Sequence, residues 1–268
     1  MEGRIITSQK EGITLTARLM AHYRAQESKL ENPLIIDPFA KLLAGDLSTY
    51  LKNHIRVSKM DYPIVRSYYI ENRLLEQWCR SHKKSQIVLL GSGLDTRAYR
   101  FQPLRENHHI IFEIDQEGVN NYKKRIMTPF KPLCKLKRIS SNLNSFEWIK
   151  ALKKEDYNLN IPTFWILEGL LYYLRKETVR ALLTEISRIS TLNSQIFADM
   201  CIPIYAEVKV GPFSKYFKWG LDKNKIPEFF KNSQWNVSCK WADTYDRGRD
   251  VGQKGLIFIV GTKMTDKQ

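Results

Sequence analysis

Four consecutive apolar residues at 87–90 run straight into Gly91, Ser92 and Gly93, and Asp95 follows two positions later. A buried parallel strand ends this way where its carboxyl end opens onto a nucleotide-like ligand. The glycines let backbone approach a ligand where a side chain would collide. Further apolar runs stand at 109–114, 134–139, 163–167 and 195–200, after a first at 86–90. Helical patterns at 118–127, 145–152 and 176–189 lie between them, and 235–241 with 255–261 reads as a late strand pair. This alternation predicts an α/β protein with a doubly wound, Rossmann-like sheet of seven mostly parallel strands. The alternation alone suits several doubly wound folds equally.

Two segments fall outside that sheet. Residues 12–82 read as a helical N-terminal cap: Leu15, Leu19 and Tyr23 recur at fours, and Ile70, Leu74, Leu75 and Trp78 form a second apolar stripe. Residues 203–232 carry Pro203, Pro212, Pro227 and many aromatics without a regular period, which suits a lid over a site. With no internal repeat or flexible linker, residues 1–268 read as a single domain.

Composition narrows the setting. Hydrophobic residues make up 43% of the 268, enough for a sizeable core. No apolar run reaches the roughly 20 residues that cross a bilayer, and residues 1–12 lack the apolar stretch of a signal peptide. Cys79, Cys134, Cys201 and Cys239 form no CxxC pair and no Cys/His cluster, so neither a metal site nor a disulfide framework is expected. A cytoplasmic protein is the expectation. The net charge of +15 permits a nucleic-acid partner, but the basic residues are spread along the chain without an RNA-binding motif. A solvated lysine-rich surface is the preferred reading, and the oligomeric state is not encoded in any visible feature.

Thr96 stands where the dinucleotide fingerprint has its third glycine. A nicotinamide cofactor wants that glycine and a helix N-terminus facing its pyrophosphate. A phosphate-free cofactor needs neither, and S-adenosylmethionine is one; Asp95 beside the glycine turn suits its positive charge. A tight strand-to-helix turn capped by Asp95 is the alternative. The second run, HIIFEID, ends in Glu113 and Asp115, about twenty residues beyond the glycines, the offset of a ribose ligand. Both acids share one side of the strand, and Asp115 at its open end is the better ligand. Asn142 and Leu143 follow the third strand and suit an adenine, one by hydrogen bond and one by packing; SSNLNSFEW also reads as a helix N-cap. Glu168 in WILEGLLYYL is a carboxylate among apolar residues, so it must meet a cation or face the crevice. Arg66 can pair with a cofactor carboxylate or form a surface salt bridge. Tyr172 and Tyr173 follow Glu168 and either line an acceptor pocket or pack in the core.

These residues in this order resemble the leucine carboxyl methyltransferase family. The resemblance rests on TARLMAHYRAQES at 16–28, IIDPFAKLLAG at 35–45, Arg66 in its tyrosine-rich setting, GSGLDTRAYRF at 91–101, FEID at 112–115 and EGLLYYL at 168–174. It implies a class I methyltransferase fold and dependence on S-adenosylmethionine. It also implies that Arg66 holds the methionine carboxylate, Gly91 and Gly93 form the cofactor turn, Asp115 binds ribose, and Glu168 lies near the methionine moiety. Asn142 stands where the family usually has aspartate. The family's N-terminal basic residue has no unambiguous counterpart here, Arg18 being one candidate. The family includes enzymes that methylate a phosphatase C-terminal carboxylate, relatives acting on a modified tRNA base, and bacterial proteins regarded as small-molecule O-methyltransferases.

The expected activity is therefore O-methylation of a carboxylate or hydroxyl on a small-molecule acceptor; a tRNA-modifying relative and a cofactor-binding protein without turnover are the alternatives. A carboxylate acceptor needs no general base, whereas a phenol or alcohol does. His22, His54, His82, His108 and His109 are bases by chemistry only, and no catalytic residue is assigned.

Overall fold

The computed structural model describes residues 15–54, 60–208, 213–252 and 254–265. Parts of three expectations lie outside the described residues: the character of residues 1–12, the cap positions 12–14 and 55–59, and positions 209–212, with Pro212, of the expected lid.

Seven strands form one sheet: β1 (Lys84–Leu90), β2 (His108–Asp115), β3 (Lys135–Ser140), β4 (Thr163–Leu167), β5 (Gln195–Cys201), β6 (Trp235–Trp241) and β7 (Leu256–Lys263). Their order is β3-β2-β1-β4-β5-β7-β6. β1 to β5 pair in parallel, and β7 enters antiparallel between β5 and β6. β1 is the pivot, with Val88 opposite Phe112 on one side and Trp165 on the other. The strand order reverses there, so a crevice opens beyond the carboxyl ends of β1 and β4. β1 begins two residues before its apolar run because Lys84 and Ser85 continue the register against His108 and His109.

Helices cover both faces. The cap holds α1 (Leu15–Glu27), α2 (Ala40–Ala44), α3 (Ser48–Asn53), α4 (Tyr62–Tyr69) and α5 (Glu76–Ser81), with a π-helical turn at Ile70–Leu75 joining the last two. α6 (Arg97–Arg100), α7 (Glu117–Met127), α8 (Glu147–Lys154) and α9 (Lys176–Arg188) cross between parallel strands. α10 (Pro203–Glu207) and α11 (Ile226–Lys231) lie near the two ends of the 203–232 segment. Phe112, Phe164, Trp165, Phe197 and Phe258 fill the sheet's interior with no more than 1% exposure. Each such burial contributes about 2–3 kcal/mol of apolar transfer.

A smaller apolar cluster joins the N-terminal helices to the 203–232 segment. Leu19, Tyr23, Ile35, Leu47 and Ile64 pack with Phe213. The 203–232 segment is tied down by Lys218 N donating to Tyr172 O at 2.8 Å and Trp219 Nε1 to Leu171 O at 3.0 Å. On the other side, Arg249 in the β6–β7 connection grips Glu27 of α1 through two hydrogen bonds of 2.8 and 3.0 Å. Glu27 also accepts from Leu34 N at 2.6 Å, which fixes the turn after α1.

Candidate active site

β1 ends in an elbow because Gly91 and Gly93 adopt φ of 70° and 51°, the left-handed region that side chains resist. The elbow hangs on the end of β2. Gly91 N and Ser92 N donate to Ile114 O at 2.9 and 3.2 Å, and Gly93 N donates to Asp115 Oδ2 at 2.6 Å. A Cβ built on Gly93 would meet nothing within 4 Å, so this backbone faces open space. The space is a cavity of about 440 Å³. Burial pushes the Asp115 carboxyl up, and the N–H groups of Gly93 and Gln116 pull it back. Ser92 Oγ, on the same wall, is buried with no hydrogen-bond partner.

Under the cavity runs a chain of ion pairs. Arg24 meets Asp37 at 2.8 Å, Arg100 reaches Asp37 at 3.8 Å and Glu71 at 2.5 Å, and Arg97 meets Glu71 at 3.0 Å. Nη1 of Arg97 then bridges Asp95 at 2.6 Å and Glu168 at 2.9 Å. Arg66 links Glu168 at 3.1 Å to Asp199 at 2.8 Å. Burial would raise the Glu168 carboxyl, but Arg97 and Arg66 beside it and the Ser67 hydroxyl hold it at about 2. Asp199, fully buried on β5, also accepts from Tyr62 Oη at 2.7 Å, Tyr172 Oη at 3.1 Å and Gly169 N at 2.6 Å. Burial, with Asp199 adding to it, pushes both tyrosine hydroxyls well above their ordinary value.

The structure brings Arg66, Gly91, Ser92, Gly93, Asp95, Asp115, Glu168, Tyr172 and Tyr173 to one cavity wall. Asp95 also accepts from Arg97 N at 2.8 Å in the turn that enters α6, whose N-cap is Thr96, so it both shapes that turn and lines the cavity. Asn142 and Leu143 are not on that wall. Asn142 Oδ1 accepts from the Asn144 backbone and side chain at 2.9 and 3.0 Å, closing a local turn that delays α8 to Glu147. Leu143 packs in the main core. Arg18 is also elsewhere: it donates to the carbonyls of Ala44 and Asp46 at 2.8 and 2.6 Å, and Arg24 is the α1 arginine that lines the cavity. None of the five histidines lines it. Sequence reasoning missed Arg97, Asp199, Tyr62 and Glu71. Asp199 carried the same signal as Glu168, a carboxylate inside the apolar run QIFADMC.

A family model described as leucine carboxyl methyltransferase matches residues 17–187. The chain is 27% identical over 255 residues to a Mycobacterium protein named "Putative S-adenosyl-L-methionine-dependent methyltransferase", covering 84% of this chain and 83% of that one. A Streptomyces coelicolor protein of the same description is 31% identical over 199 residues, 69% of this chain and 65% of its own. Among solved structures, a DUF574 family protein from Streptomyces avermitilis has the same fold, with TM-score 0.62, 10% identity, and 92% and 97% of the two chains covered. The chain belongs to the leucine carboxyl methyltransferase family and, with it, to the S-adenosylmethionine-dependent methyltransferases.

Proposed function

We propose that this chain methylates an oxygen of a small-molecule acceptor, and that the acceptor is a carboxylate. One observation carries the reading: among the described residues, the cavity wall has hydrogen-bonding and apolar groups but none placed to remove a proton. Among the described residues no histidine or lysine lines it. Glu168 is held ionised between two arginines, Asp95 and Asp115 already accept backbone N–H groups, and Tyr62, Tyr172 and Tyr173 stay protonated. Such a wall suits an acceptor oxygen that is already anionic, because no base is then needed.

The residues present fit the cofactor. Asp115 offers its remaining lone pairs to ribose hydroxyls, Ser92 Oγ awaits a partner, and the bare backbone at Gly93 leaves room for close approach. Arg66 keeps Nη2 clear of hydrogen bonds to the described residues and so retains a donor for a carboxylate. When bound, S-adenosylmethionine supplies a methyl group on a positively charged sulfur. The protein's part is to position and to exclude water. Met20, Met60, Tyr173, Tyr205, Phe213 and Phe217 give the cavity an apolar side, with Tyr173 and Phe217 edge to face at 5.2 Å. That side suits an acid with an apolar or aromatic body. The lid residues Phe213 and Phe217 close over it.

The test is methyl transfer from labelled S-adenosylmethionine to a panel of carboxylic acids and phenols, followed by mild base. Methyl esters release the label as methanol and ethers do not. Label retained through base in every product would overturn the carboxylate assignment.

A further inference from the structure

Tyr205, in α10, lines the apolar side of the cavity and is seated there against two glycines. A Cβ built on Gly255 would overlap Tyr205 Oη and Cζ, and one on Gly252 would lie 3.0 Å from Oη. The tip of the ring therefore fills a slot in the β6–β7 connection that a side chain at 255 would close. The backbone entering α10 is gripped on two sides. Ile202 N donates to Gly255 O at 3.0 Å, which ties it to the same connection. From the 203–232 segment, Leu221 N donates to Cys201 O at 2.9 Å, and Gly220 lies so close that a Cβ there would sit 2.5 Å from Ile202 O. A ring keyed into backbone in this way cannot yield without leaving its seat.

This wall stands away from the glycine elbow. Gly91 and Gly93 follow β1, whereas Tyr205 follows β5, two strands over, or roughly 10 Å across the sheet. Leu256, opposite Cys201 at the start of β7, reaches the cavity from one strand further. We propose that Tyr205, seated against Gly252 and Gly255, is the specificity-determining wall of the acceptor side and sets how long an acceptor the cavity admits. The inference deepens the acceptor reading above and rests on it. A cavity of about 440 Å³ has to hold donor and acceptor together, so a fixed aromatic wall selects a compact acid over a long-chain one.

The experiment is calorimetric titration of the full chain with S-adenosylmethionine and with analogues whose sulfur is replaced by a nitrogen bearing n-alkyl chains of increasing length. These probes bind through their adenosyl part and measure the reach of the acceptor side without the natural acceptor. Each methylene that finds room should tighten binding about fourfold, and affinity should collapse beyond one chain length. In Tyr205→Ala that cut-off should move to longer chains, with a gain of about tenfold or more for the first chain the unaltered protein rejects, while S-adenosylmethionine still binds. Gly255→Ala should also move the cut-off, because Tyr205 loses its seat, and should change nothing further in a Tyr205→Ala background. An unmoved cut-off in folded Tyr205→Ala, or affinity that ignores chain length in the unaltered protein, overturns the proposal while leaving the donor site intact. Additive effects of the two substitutions overturn the role of the glycine seat. If S-adenosylmethionine itself does not bind, the cofactor reading fails and this inference with it. Whether the methylated oxygen belongs to a carboxylate is decided separately, by the release of label in base.

Discussion

Gly93 N donates to Asp115 Oδ2 at 2.6 Å, so the elbow after β1 is latched to the tip of β2. The same carboxylate that faces the cavity also shapes the backbone around it. Replacing Gly93 with valine places a side chain into open cavity space and forces an L-residue to φ 51°. The backbone strain costs about 1–2 kcal/mol. Gly93→Val should therefore stay folded with a Tm lowered by a few degrees and lose S-adenosylmethionine binding in calorimetry. Retained affinity would remove the elbow from the site.

Asp199 is the far end of the ion-pair chain. Asp199→Asn removes the charge opposite Arg66 and weakens the acceptor of two tyrosine hydroxyls and Gly169 N. Breaking a buried pair from one side costs about 3 kcal/mol or more. Thermal melts should show a Tm drop of roughly 10 °C. A shift below about 2 °C would mean that Arg66 does not depend on this partner.

Acid should act through Glu168. Its folded carboxyl is held at about 2 against an ordinary 4.5, with Arg97 and Arg66 overcoming the opposing effect of burial. A lowered folded value adds stability that is complete above pH 4.5 and is lost as the pH falls toward 2. The contribution is about 3 kcal/mol. Denaturant melts between pH 5 and pH 2 should lose stability steeply in the parent protein. Glu168→Gln should be less stable at pH 7 and show a flatter decline; equal slopes would refute the assignment.

Thiol chemistry offers an independent check on packing. Burial pushes Cys79 and Cys134 up to about 12 and Cys239 to about 11. At pH 8 a thiol near 12 is on the order of one part in ten thousand thiolate. Iodoacetamide should modify Cys79 and Cys134 slowly in the native protein and rapidly in urea. Fast native labelling of Cys79 would show that α5 does not cover it.

The strand pattern was legible where runs are buried on both faces and therefore apolar, as 87–90 and 163–167 show, and weaker at β3, where only Ile139 is buried. The glycine elbow and Asp115 were legible because turn chemistry and a fixed offset are local signals. The ion-pair chain was not. Glu71 reaches Arg97 and Arg100 across the π-helical turn at Ile70–Leu75, and Asp199 meets Tyr62 across 137 positions. Pairings of that range are set by packing and leave no spacing in the sequence. Asn142 shows the converse: its helix-entry chemistry was visible in SSNLNSFEW, and its Oδ1 closes the turn ahead of α8.

The clasp between Glu27 and Arg249 has a consequence for biosynthesis. The two residues are 222 positions apart, so α1 leaves the ribosome long before its anchor has been translated. Until the β6–β7 connection has been made, α1 holds only its contacts with the N-terminal helices and other earlier residues, and lacks the anchor at Glu27.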